Sequence, residues 1–167
     1  MQNRPFIKRG IVAFWAIWFA IVFATNLCDG AKTFGALSAD WMFASGNYEF
    51  MLKVTGRYPM IQSMTPLLFA GVVLWELVAT ILFWRAVVIP WSNRSQSRAA
   101  IHLAFAAGLA LCAAFVIADE ILISYDLEAA HLRLFSSQLV SLMFLELVPN
   151  NEHQRPSPPV SYLKTEH

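Results

Sequence analysis

Residues 66–84, PLLFAGVVLWELVATILFW, place Glu76 near the middle of a nineteen-residue run that is otherwise apolar except for Thr80. A run of that length crosses the hydrocarbon core of a bilayer as one helix, at about 1.5 Å per residue. An ionisable side chain at mid-depth costs about 3 kcal/mol or more on insertion scales, so it is expected to face other helices and to have a partner there. The run therefore demands a bundle around it. Bulk composition agrees: 57% of the 167 residues are hydrophobic and 14% charged, with a mean hydropathy of +0.52. A water-soluble domain of this length does not hide that much apolar surface. A net charge of +1 offers no footprint for nucleic acid.

Four spans follow from the pattern, at about 11–28, 60–89, 99–124 and 129–148, and the expected fold is an all-α, antiparallel four-helix transmembrane bundle. Residues 1–10 are basic and precede bulky Trp15, Trp18 and Phe19 with no small-x-small cleavage site, so the first run reads as an uncleaved span rather than a signal peptide. Residues 29–59 form a polar-aromatic loop in which 47–54 suit a short interfacial helix. Pro66 is expected in the first turn of the second span, and Pro90 ends that span. In the third, Ala100, Ala104, Gly108 and Cys112 recur every fourth residue, with Ala106, Ala110, Ala114 and Ala118 as a second row. Such rows let backbones approach closely, so this helix is expected to be the most enclosed. Cys28 and Cys112 lie at different depths and are not expected to pair. Residues 149–167 read as an extended, Pro-rich tail.

Lys and Arg set the expected orientation. The N-terminus, the second loop and the tail carry eight of them, against Lys32, Lys53, Arg57 and Arg133 on the other side. The positive-inside rule then puts both termini in the cytoplasm.

Two clusters could carry chemistry. Glu76 is expected to meet Gln138, Ser137 and Ser141, which lie at mid-depth of the fourth span. This would be either a clasp that fixes register or a proton or ligand site; Gln138 can donate to a carboxylate or accept from a protonated one. At the other level, Asp119 and Glu120 end one helix while His131 and Arg133 begin the next. Arg133 is expected to clamp Glu120 or Asp119. His102 reads as a lone interfacial histidine, with Glu146 able to reach the same surface. No residues have metal-ligand spacing, and no Walker loop, Rossmann glycines, nucleophile elbow or HExxH occurs.

Several of these residues also line up with a known pattern. Asn26, Asp29 and Gly30 close the first span. Asn47-Tyr48-x-Phe50-Met51-x-Lys53-Val54 looks like an NYxFVxHV stretch, with Lys53 in place of the histidine and Thr55-Gly56-Arg57 in place of Leu-Ser-Met-Asp. Glu76, Glu120, the run Glu128-Ala129-Ala130-x-x-Arg133-x-Phe135 and Leu147-Val148-Pro149 follow in order. Over about residues 10–152 the chain resembles the bacterial family of predicted small integral membrane proteins with four spans, a domain of unknown function. The resemblance implies the fold, the topology and a bacterial inner (plasma) membrane, and it implies no activity.

Three functional readings result. The leading one is an accessory, non-catalytic subunit of a larger inner-membrane complex of respiratory or bioenergetic type. It would dock through Phe14, Trp15, Trp18 and Phe19, with the tail running along the partner. The second is a small proton-linked transporter or channel acting as an oligomer around Glu76. The third is a membrane enzyme using a quinone or lipid, with the Glu120 and Arg133 cluster as its site. No cofactor is expected beyond such a bound lipid or quinone. The expected partners are membrane lipids, with other membrane subunits or further copies of the chain.

Overall fold

The computed structural model describes residues 4–148, with side chains from Phe6 onward. The tail at 149–167 lies outside the described residues, and so does its expected partner contact. Five helices follow one another: α1 (Arg4–Thr33), α2 (Asn47–Thr55), α3 (Pro59–Val88), α4 (Arg94–Leu122) and α5 (Tyr125–Leu147). Three of them, α1, α3 and α4, are long and apolar enough to cross a membrane. α5 falls short of that standard among the described residues, because its first half carries Asp126, Glu128, His131 and Arg133.

The helix ends follow local rules. Pro59, not Pro66, takes the first turn of α3, and Pro66 lies inside the helix. The apolar run thus begins about two turns after its helix does, and Pro66 leaves the Gln62 carbonyl without an intrahelical donor. Asn93 caps α4 by accepting from the Gln96 backbone N–H at 3.3 Å. Ile123 ends α4 in the left-handed region, at φ 55°. Its N–H closes back on the carbonyls of Asp119 and Glu120, as a C-terminal glycine's would.

Side-chain pairs give the packing order. Gly30 abuts Phe69, Phe19 stacks on Phe83 and Arg9 lies over Trp91, so α1 and α3 run antiparallel. Phe83 meets Phe105 on α4. Gln138 of α5 reaches Cys112. Trp15 Nε1 closes the ring by donating to Ser141 Oγ at 3.0 Å. The order around the bundle is therefore α1, α3, α4, α5. α2 lies outside it, with Tyr48 edge-on to Phe69 and Thr55 hydrogen-bonded to Thr65 at 2.8 Å.

The row Ala100, Ala104, Gly108 and Cys112 is buried, while Ala106, Ala110 and Ala114 of the second row face outward. As expected, α4 is the most enclosed of the three apolar helices. The docking row expected on α1 is split. Trp15 and Phe19 are only 3% and 4% exposed and belong to the core, whereas Phe14 and Trp18 are 56% and 39% exposed. Helical periodicity explains the split, since Trp15 and Phe19 lie one turn apart on one face and Phe14 and Trp18 on the next. Cys28 and Cys112 are both free thiols.

Candidate functional site

Glu76 is held at the level where α1 approaches α3, and it is 2% exposed. Its partner is Asn26 of α1, whose Nδ2 donates to Glu76 Oε1 at 2.7 Å. Asn26 in turn accepts from Asn47 Nδ2 at 2.8 Å. The three side chains form a relay from the first residue of α2 into the bundle. Helix register positions them. Asn26 lies one turn inside Gly30, whose lack of a side chain lets Phe69 approach; a Cβ there would sit 3.3 Å from the Phe69 ring.

A second carboxylate anchors the entrance. Asp29 Oδ2 accepts from the Tyr48 backbone N–H at 2.8 Å and from Ser45 Oγ at 3.1 Å. It thereby satisfies an orphan donor at the start of α2 and sits at the positive end of that helix. Gly46, at φ 75°, makes the turn into α2, a conformation that a side chain would strain. Asp29 and Asn26 are one turn apart on α1, so one face of that helix carries both ends of the network.

Beyond Glu76 toward the end where α1 begins, the interior is closed. Phe19, Phe83 and Phe105 interlock with centroid separations of 5.2 and 5.1 Å. Ala79, Ala86, Ala104 and Ile101 fill the space around them. Among the described residues the polar relay therefore opens only toward α2.

The expected partnership of Glu76 with α5 does not form. Gln138 is 1% exposed, but its Nε2 donates to Cys112 Sγ at 3.4 Å. Ser141 is taken by Trp15 and donates to the Ser137 carbonyl. The physical reason is packing order: α3 and α5 are diagonal in the ring, and α1 is the nearer neighbour of α3. Two buried oxygens remain without a hydrogen-bond partner among the described residues, Glu76 Oε2 and Gln138 Oε1. Both belong to one layer of the bundle. Trp75, beside Glu76, donates to the Ala107 carbonyl at 3.1 Å, and Gln138 lies against Gly108 and Cys112.

The hairpin cluster forms with a different pairing. His131 Nδ1 meets Asp119 Oδ2 at 2.5 Å, and the imidazole stacks on Phe115. Glu120 and Arg133 are exposed, and Arg133 makes no ion pair among the described residues. Arg133 stands two positions beyond His131, about 200° round the helix, and so points away from α4. At the opposite end His102 is not alone. Glu146 accepts from Arg98 Nη2 at 2.5 Å and meets His102 Nε2 at 2.7 Å. Lys8, which is buried, donates to the Leu145 carbonyl at 2.8 Å. This satisfies one of the last α5 carbonyls and places a cation at the negative end of that helix.

Depth and charge in the sequence do not single out Asn26, Asp29 and Asn47 as members of the site. They entered only through the family resemblance, and the structure brings Asn26, Asp29, Asn47, Tyr48 and Glu76, all residues of that resemblance, to one place. Among the described residues no group of three His, Cys, Asp or Glu side chains could hold a metal ion. No family model, no curated protein and no solved structure matches the chain.

Proposed function

We propose that the chain is a four-span protein of the bacterial inner membrane, with both termini cytoplasmic, that acts as a small transport protein around Glu76. The observation that carries this reading is the state of the Glu76 carboxyl. It is buried, joined by two amides to the α2 end, and sealed by three phenylalanines from the other end. A register clasp needs a polar pair, but not a relay that ends at the bundle's rim. The aromatic seal argues against a continuously open pore and for a site served from one side at a time.

α5 is taken as the fourth span. Its Gln138 turns inward, while Leu139, Val140, Met143, Phe144 and Leu147 are exposed. Polar-in and apolar-out is the arrangement of a helix with lipid outside it. In this reading α2 and the 34–46 loop lie at the outer surface. The resemblance to the four-span family accords with it, including the position of Glu76.

The test is proton flux into dye-loaded liposomes containing the purified chain. Flux above protein-free liposomes should be blocked by dicyclohexylcarbodiimide, which reacts with carboxyls in apolar surroundings, and the adduct should map to the peptide containing Glu76. Flux no greater than in empty liposomes would overturn the reading. The accessory-subunit alternative retains one favourable feature, the exposed row Phe14, Ile17, Trp18 and Ile21 on α1. Recovery of a stoichiometric partner in mild detergent would favour it.

A further inference from the structure

The α2 end of the bundle gathers two buried carboxylates, Asp29 and Glu76, around neutral donors only: two asparagine amides, a serine hydroxyl and a backbone N–H. The nearest base in sequence, Lys32, directs its Nζ to the Trp41 carbonyl at 3.5 Å, in the loop. No ion pair to either carboxylate is made among the described residues. Asp29 has a local role as the anchor of α2. Glu76 has none for its second oxygen. Oε2 is buried, accepts nothing and lies in the layer that also holds the uncommitted Gln138 Oε1.

We propose that Glu76 Oε2 is a ligand for a small monovalent cation, which enters from the α2 end past Asn47 and Asn26. The inference rests on the transport reading and names what the site takes besides a proton. Two uncommitted oxygens in one buried layer, one of them on a carboxylate, call for positive charge and for filled lone pairs. A metal or ammonium cation supplies both at once, as a proton on Oε2 donating to Gln138 Oε1 also would, whereas water supplies only the second. Hard cations take oxygen ligands, and the layer offers one carboxylate and one amide oxygen, Glu76 Oε2 and Gln138 Oε1. A divalent ion would need more charged ligands than the layer contains, in line with the absence of a three-ligand group among the described residues. Asn26 serves as the positioning residue. Its amide fixes Oε1 and so aims Oε2, and its own carbonyl is fixed by Asn47.

The experiment measures thermal unfolding of the full chain in detergent at constant ionic strength, with sodium, potassium or ammonium chloride titrated against choline chloride. At least one small cation should raise the midpoint saturably, by about 5–10 °C at a hundredfold excess over its dissociation constant. Glu76→Gln should abolish the rise. Should that variant fail to fold, Gln138→Leu serves instead, since it removes one oxygen and should raise the half-saturating concentration by about tenfold. A midpoint equal in choline and in all three cations overturns the inference, as does a rise that survives Glu76→Gln or is unmoved in Gln138→Leu. Carbodiimide-sensitive proton flux without any cation-specific rise would leave the transport reading standing and remove the cation.

Discussion

Adding one methyl group at Gly108 should loosen the bundle. A Cβ built there collides with Gln138 Oε1 and comes within 3.1 Å of Phe19 Cζ and 3.2 Å of Gln138 Cδ. Gln138 cannot swing clear, because it is almost wholly buried and tied to Cys112. Phe19 cannot retreat, because it is stacked on Phe83. Overpacking a site closed on two sides costs about 2–3 kcal/mol. For a chain of this size that lowers the unfolding midpoint by about 5–10 °C. Tryptophan fluorescence follows the transition, since Trp15 lies in the same core. The companion variant Gln138→Ala removes the obstruction and carries its own cost, a lost hydrogen bond and a cavity. In the double variant the two costs should not add, and the coupling should favour it by about 1–2 kcal/mol. Gly108→Ala within 0.5 kcal/mol of the parent, on the scale of a neutral surface change, would refute the packing argument. So would strict additivity in the cycle.

Ile123→Gly should stabilise the hairpin by about 1 kcal/mol, because a β-branched residue is held at φ 55° and is exposed there; equilibrium unfolding checks it. Lys8→Met should cost about 1–3 kcal/mol by leaving the Leu145 carbonyl unpaired at the end of α5, and faster amide exchange in the last turn of α5 would report it. Arg133→Glu should change stability by less than about 0.5 kcal/mol, whereas His131→Leu, which strands the buried Asp119, should cost about 1–3 kcal/mol.

The long helices were legible because apolar runs bounded by Pro, Asn and basic residues leave little choice. α4's small-residue row also named its own buried face. Neighbour order was not legible. Depth alone favours Gln138, at mid-span, over Asn26 near the end of the first run, and only the ring order α1, α3, α4, α5 decides for Asn26. The hairpin pairing was within reach of a stricter rule. Asp119 meets His131 and Cys112 meets Gln138, so seven residues down α4 match seven up α5. Carried further, that register takes His102 close to Glu146, which it meets. Charge complementarity favoured Arg133, but helical phase turns it outward. The docking row on α1 failed in the same way, since four aromatic residues within six positions cannot share one helical face. The α2 network needed the loop's path, which the residues between Thr33 and Asn47 do not announce.

In the proposed function Glu76 works rather than merely binding helices together. Glu76→Gln tests it on one purified sample, reconstituted and assayed for both folding and proton flux. The amide keeps an oxygen for Asn26 Nδ2 and adds a donor in place of the orphaned Oε2, so the unfolding midpoint should hold or rise. Flux should fall to that of protein-free liposomes. Flux equal to the parent's, with the fold intact, would make Glu76 a structural clasp and contradict the account.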